Sequence, residues 1–175
     1  MIKFYKVSLE QWKKDCKVRH YDRTGKEDII PLIEGADEIL YEQIKIPKRA
    51  TKGSAGYDIH SLFEFILYPG ETIFIPTGLR VQMDNDIVFM IYPRSGLGFK
   101  YRFQLDNTCG VIDSDYFNSD NEGHIFVKMT NCGHRTLEVE KGDAICQGIF
   151  MKYLLTDDDD TTGERNGGFG STDKK

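Results

Sequence analysis

The sequence predicts an all-β domain, a sandwich or barrel of short strands. Three observations carry that prediction. From Tyr41 onward, short segments rich in β-branched and aromatic residues recur at close intervals. Turn chemistry separates them, at Pro69-Gly70, Asp84-Asn85-Asp86, Asn131 to Gly133, and Lys141-Gly142-Asp143. One segment, HIFVKMT (124–130), alternates cleanly, with Ile125, Val127 and Met129 on one face at strand period.

Taken in order, IKFYKV reads as a strand. Ser8 then resembles a helix N-cap, with Gln11 three residues on and Leu9, Trp12 and Cys16 on one helical face. Residues 19–40 are mixed and turn-like, so 1–40 form an expected N-terminal extension packed on the main domain. The core is expected over 41–155. Its strand candidates are YEQIKI (41–46), LFEFILY (62–68), TIFIP (72–76), GLRVQM (78–83), IVFMIY (87–92), HIFVKMT (124–130), RTLEVE (135–140) and AICQGIFMKYLL (144–155). The composition breaks at Thr156. TDDDDTTGERNGGFGSTDKK holds one large apolar residue, Phe169. Its aspartates repel one another and its glycines raise the entropic cost of ordering, so 156–175 is expected to be a mobile arm.

Bulk properties bound the function. The chain has 175 residues, 39% hydrophobic and 29% charged, which fits one soluble domain with a real core. No apolar run approaches a membrane span, and the first residues contain no signal-peptide apolar region. A net charge of −5 argues against broad nucleic-acid binding but leaves room for a small anionic ligand. The cysteines, Cys16, Cys109, Cys132 and Cys146, form no CxxC pair. Reduced thiols in a cytosol, bacterial or phage-directed, are expected. A zinc site from Cys132, His134 and Cys146 is the lesser reading; small buried hydrophobes are the better one.

Four stretches carry chemistry. In PRSGLGFK (93–100), Arg94 offers a permanent cation, Ser95 a hydroxyl and Gly96 close backbone approach to an anion; alone, PRSG is also an ordinary turn. In LDNTCGVIDSDY (105–116), Asn107 and Gly110 fit a tight hairpin. Asp113 follows Val111-Ile112, either as a general base held at a strand end or as an Asx-turn residue, and Tyr116 as a site residue or core packing. In KGDAICQG (141–148), Gln147 is an amide in an apolar strand, needing a partner or facing water. In the arm, glycines with Ser171 and Thr172 could meet phosphates, although no GxxxxGK[ST] loop occurs.

Together with SAGYDI (54–59), these stretches resemble, in order, the five motifs of the trimeric dUTP pyrophosphatases (dUTPases). The resemblance covers roughly residues 41–175. It implies a jelly-roll-like distorted β-barrel, a β-clip, assembled as a homotrimer with active sites between subunits. It implies hydrolysis of dUTP to dUMP and pyrophosphate, by water attacking the α-phosphorus with Asp113 as base. Arg94, Ser95, Gly96 and Gln147 would hold phosphates. Asn107, Gly110, Val111 and Ile112 would surround uracil, with no room for a thymine methyl. Tyr116 would pack under the deoxyribose, with Phe126 beside the hairpin. From the arm, Phe169 would stack on the base while Arg165, Gly170, Ser171 and Thr172 reach the triphosphate. Mg2+ would ride on the phosphates, with Asp58 touching only its water shell.

The chain departs from the motif pattern in places. Ala144 stands where arginine is usual, RNGGF is one residue short, Asp173 replaces a common glycine, and FNSDNEG after Tyr116 is long. The rivals are a dCTP deaminase on the same fold and a catalytically weak nucleotide-binding regulator. Tyr116 and the aromatic arm oppose the first, and intact residues at all five motifs oppose the second.

Overall fold

The computed structural model describes residues 1–31, 33–163, 165 and 167. The chain opens with β1 (Lys3–Lys6) and α1 (Leu9–Asp15). Ser8 caps α1 as expected, its hydroxyl accepting the Gln11 N–H at 3.0 Å. The buried face differs from the expected one. Trp12 and Cys16 are inside, but Leu9 stays exposed and Gln11 is buried in its place, donating to Asp15 Oδ2 at 2.7 Å. The stretch read as turn-like holds a hairpin of β2 (Val18–Tyr21) and β3 (Glu27–Ile30), then α2 (Ala36–Glu42). YEQIKI is therefore no strand. Leu40 and Ile44 recur at i, i+4 and both bury, so helical spacing wins over the apparent alternation.

The remaining elements are β4 (Tyr57–His60), β5 (Phe65–Leu67), β6 (Thr72–Pro76), β7 (Leu79–Gln82), β8 (Ile87–Pro93), α3 (Ser95–Tyr101), β9 (Phe103–Leu105), β10 (Gly110–Ile112), a 3₁₀ turn (Ser114–Asn118), β11 (Phe126–Asn131), β12 (Leu137–Val139) and β13 (Ala144–Lys152). Several expected strands are shorter or begin later, RTLEVE keeping only Leu137–Val139 and HIFVKMT starting at Phe126, and two are short for visible reasons. Ser61 Oγ bonds both the Phe63 carbonyl (2.6 Å) and its N–H (3.1 Å), locking 61–63 in a turn before β5. β13 ends at Lys152 because its partner there, Ile87, is the first residue of β8. The β-rich, jelly-roll-like class stands, with sheets that do not close.

Every strand pair is antiparallel. One sheet has the order β10-β8-β13-β4 and another β3-β2-β6-β11-β9; the two-stranded ribbons are β1-β7 and β12-β5. Alternation places Ile73 and Ile75 of β6 and Val127 and Met129 of β11 inside, with Ile125 just before β11 also buried. Fully buried Trp12, Phe89, Phe103 and Leu137 fill the centre. Each such side chain contributes about 1.5–3 kcal/mol by leaving water. Phe4, Tyr57, Phe89 and Phe150 form an edge-and-tilt cluster with ring centres 4.7–5.5 Å apart. Gly148 makes room for it, since a Cβ there would overlap the Phe89 ring.

The N-terminal segment is woven into this frame. β1 pairs with β7 and β2 with β6, and α1 lies against the loop 119–124. Ser8 donates its N–H and hydroxyl to the two carboxylate oxygens of Glu122 at 2.7 and 2.6 Å. Asp15 accepts from His124 Nδ1 at 2.8 Å. Burial pushes both carboxyls up, but these hydrogen bonds, with help from Arg80 and Gln11, outweigh it and hold both below their ordinary values.

Two outcomes follow from this packing. Gly148→Ala is expected to cost about 1–3 kcal/mol by overpacking, read as a melting temperature lowered by several degrees. The stability supplied by Asp15 and Glu122 is present above the ordinary carboxylate range and is lost as pH falls through their depressed folded values. Trp12, the only tryptophan, sits in α1 with its indole N–H on the Asp37 carbonyl at 2.8 Å. Its emission should therefore stay blue at mildly acidic pH and shift red only below about pH 4, the unfolded carboxylate range.

Candidate active site

The sheet β10-β8-β13-β4 carries the chemistry-bearing residues. β4 and β13 pair Asp58 with Gln147, and β13 and β8 pair Gln147 with Tyr92 and Cys146 with Pro93. One end of three adjacent strands thus collects Asp58, Arg94 and Gln147. Arg94 Nε meets Asp58 Oδ1 at 3.2 Å, and Arg94 Nη1 donates to the Ala144 carbonyl at 3.4 Å. Gln147 Nε2 donates to the Pro93 carbonyl at 3.3 Å. Gly56 lies against that amide so closely that a Cβ would overlap Gln147 Oε1. Gln147 is therefore neither in solvent nor unpartnered; it is clamped between two chain segments. Arg94 precedes α3 in extended conformation (φ −77, ψ 138), and Ser95 and Gly96 follow it, exposed, at the helix start.

A second cluster sits on the other side of β8. β10 pairs Gly110 with Ile91 and Ile112 with Phe89, so the turn 106–109 projects from the sheet. The turn is tight. Thr108 takes φ 63, its N–H donates to Leu105 O at 2.9 Å, and the Cys109 N–H donates to Asn107 O at 2.7 Å. Asn107, Gly110, Val111, Ile112 and Phe126 line a cleft of about 410 Å³, a volume within the range of small-ligand sites. Phe126 stacks on Phe74 at 5.2 Å beneath it.

At the far end of β10, Asp113 precedes the 3₁₀ turn in extended conformation, its carboxylate half exposed. Arg165 reaches it from the arm of the same chain, with Nη2 to Asp113 Oδ2 at 2.5 Å and Nε to Asp115 Oδ1 at 2.8 Å. The Arg165 guanidinium also lies 5.9 Å from the Tyr116 ring centre. Tyr116 is buried, its hydroxyl donating to His124 O at 2.7 Å and accepting from Asn121 Nδ2 at 2.8 Å; burial pushes its phenol up. Phe169, Gly170, Ser171 and Thr172 lie outside the described residues.

Sequence reading missed four contributors. Asp115 shares Arg165 with Asp113, and Ser119 Oγ donates to the Gly167 carbonyl at 3.3 Å. Asn121 and His124 hold the Tyr116 hydroxyl. Asp115 could have been found from the DSDY spacing. The others sit in FNSDNEG and just after it, which local pattern marks only as a long loop.

The expected residues come together in two groups, not one. Ile112 lies opposite Phe89, and Arg94 stands five positions further on, just past the end of β8. At about 3.4 Å per residue this separates Asp113 from Arg94 by roughly 17–20 Å within one chain. One group is an edge of cation, amide and glycine backbone; the other is the hairpin cleft, with Asp113 following directly on its lining residue Ile112.

The open, antiparallel, jelly-roll-like β-scaffold is the class of fold that this chain shares with solved dUTPases. The dUTPase family model matches residues 42–173. A deoxyuridine 5'-triphosphate nucleotidohydrolase of Lactococcus lactis is 46% identical over 132 residues, covering 74% of this chain and 88% of the relative. The crystal structure of a dUTPase from Streptococcus mutans is similar at TM-score 0.57 and 39% identity, covering 64% of this chain and 88% of that one. A dUTPase from phage phi11 of S. aureus shares the fold over 93% of this chain and 97% of its own, at TM-score 0.60 and 17% identity. This chain belongs to the dUTPase family.

The Gly56–Gln147 contact yields a test. In Gly56→Ala the amide must swing off the Pro93 carbonyl, which its flexible side chain does at little cost to stability. Losing one positioned hydrogen bond of about 0.5–1.5 kcal/mol should raise the nucleotide KM roughly threefold to tenfold while the melting temperature holds. Steady-state kinetics beside calorimetry checks both.

Proposed function

We propose that this chain hydrolyses dUTP to dUMP and pyrophosphate, with Asp113 as the base for the attacking water. The carrying observation is that the half-exposed carboxylate of Asp113 follows directly on Ile112, a lining residue of the hairpin cleft. Asp113 takes a proton from water. The freed oxygen lone pair forms the new bond to the α-phosphorus, and the bridging bond to the β-phosphate breaks, releasing pyrophosphate. Arg94, Ser95, Gly96 and Gln147 hold phosphate oxygens. The turn from Asn107 to Val111 presents backbone groups to the uracil edge. A base whose donors and acceptors are reversed leaves buried groups unpaired and is rejected. Tyr116 supports the deoxyribose, and Phe169 would stack on the base from the arm.

The separation of the two groups supports a homotrimer. A triphosphate held at Arg94 is out of reach of Asp113 in its own chain, so a complete site takes the phosphate edge of one subunit and the cleft of another. The Arg165 pairs with Asp113 and Asp115 occupy the ground that nucleotide would enter, and binding exchanges these carboxylates for phosphates. The protein's metal donors are few. Among the described residues no three His, Cys, Asp or Glu side chains group as a metal site, and Asp58 Oδ1 is engaged by Arg94. That donor set fits Mg2+ arriving on the triphosphate, with Asp58 reaching its water shell. When bound, the ion neutralises charge on the leaving pyrophosphate.

Asp113→Asn is expected to lower turnover by about 10²–10⁴ while binding of a non-hydrolysable dUTP analogue changes little. Near-normal pyrophosphate release in that variant removes Asp113 as the base. Parallel assays with dUTP, dTTP, dCTP and UTP should show release with dUTP alone, and ammonia from dCTP would instead mark a deaminase.

A further inference from the structure

Residues 1–41 fall outside the segment that the family model matches, yet α1 holds the loop that carries Tyr116. The loop closes around the phenol hydroxyl. Tyr116 donates to His124 O, Asn121 Nδ2 donates to Tyr116, and the Gly123 N–H donates back to Asn121 Oδ1 at 3.2 Å. Two successive residues, Glu122 (φ 59) and Gly123 (φ 70), take left-handed backbone there. Glycine is required at 123, where a Cβ would strike the Tyr116 carbonyl and Phe117 Cα. Glu122 has no such exemption, and its conformation is the kind that persists only when surroundings impose it. Those surroundings include Ser8, whose two hydrogen bonds grip the carboxylate, and Arg80, whose Nη1 lies 3.6 Å from it.

The second grip is at His124, whose side chain is fully buried. The Gly78 N–H donates to Nε2 at 2.9 Å, so Nε2 carries no proton and Nδ1 does. Nδ1–H donates to Asp15 Oδ2 at 2.8 Å, and Gln11 Nε2 donates to the same oxygen at 2.7 Å. Asp15 therefore fixes the tautomer and the orientation of the ring whose own backbone carbonyl anchors the Tyr116 hydroxyl.

We propose that Asp15, acting through His124, is a positioning residue for Tyr116, and that α1 thereby sets how strictly the enzyme prefers deoxyribose to ribose. This rests on the reading of Tyr116 as the sugar platform. A tyrosine face tight enough to exclude a 2′-hydroxyl must hold its position within a fraction of an ångström. Backbone hydrogen bonds within 116–124 and Arg80, donating to the Phe117 carbonyl at 2.6 Å, support the turn, and α1 adds the grips on Glu122 and His124 from more than 100 positions away in sequence.

The test measures kcat and KM for dUTP and UTP in the full-length chain. Asp15→Ala is expected to lower the dUTP-over-UTP preference at least tenfold, mostly through KM. Asp15→Asn, whose Oδ1 still accepts from Nδ1–H, should restore it. Val139→Ala, a core cavity on the β5–β12 ribbon, serves as the stability control and should keep the preference. Should Asp15→Ala not fold, Ser8→Ala decides: a smaller shift in the same direction supports the proposal, and an unchanged preference overturns it. Tyr116→Ala separates the two layers. If it leaves the preference unchanged, the sugar-platform reading falls and takes this inference with it. If it relaxes the preference while Asp15→Ala does not, or if Val139→Ala relaxes it as much as Asp15→Ala, the inference alone falls.

Discussion

The architecture of the site depends on the central placement of β13 in its four-stranded sheet. Its ladder with β8 on one side and β4 on the other forces Gln147 beside both Tyr92 and Asp58, and Pro93 beside Cys146. No single side-chain contact could bring together residues from positions 58, 94 and 147 with that reliability. A one-residue slip of β13 would turn Gln147 to the opposite face and put a core residue at the phosphate edge. The slip is opposed from within. Ile145 and Cys146 are fully buried, and Gly148 leaves the room that the Phe89 ring fills. The packing that stabilises the sheet and the register that aligns the site are therefore one constraint.

The same ladder keeps the two clusters apart within one chain. β10 joins β8 near its middle, while Arg94 lies past the end of β8. Strand geometry holds the hairpin cleft and the Arg94–Gln147 cluster apart. Assembly is then a requirement of the chemistry in this reading. The arm fits the same logic. Arg165 neutralises Asp113 and Asp115, two carboxylates that would otherwise repel an incoming triphosphate. The pair is partly solvated, so it is weak enough to be exchanged.

How much of this was legible in the sequence varied with the range of the determining interaction. TIFIP, IVFMIY and HIFVKMT read correctly as strands because one buried face dictates alternation. Ser8 read correctly as a cap because its partner is three residues away. The β2–β3 hairpin did not announce itself: β3 is an exposed edge strand, EDII, with no buried alternation to see. The 41–46 segment was misread because IKI mimics a strand, while the deciding contact, Ile44 beside Trp12 and Gly78, comes from distant chain. At the site, residue types in short motifs pointed to Arg94, Asp113 and Gln147. Their division into two clusters is a property of register, which no motif encodes. The Asp15–His124 bond spans 109 positions and leaves no local trace.

Ala144 shows how such a fold absorbs a departure from its motif. Where an arginine would have supplied a second charge beside the phosphate edge, the chain offers only a methyl group. The backbone carbonyl of Ala144 nevertheless accepts from Arg94, whose other side is fixed by Asp58. Arg94 is thus oriented by one carboxylate and one carbonyl. That carbonyl belongs to the backbone, so Arg94 keeps both anchors whichever side chain stands at 144, and the exchange removes one positive charge from the edge without removing either acceptor. What survives is a cation already oriented, and preorganisation as well as charge count sets what an anion gains on leaving water.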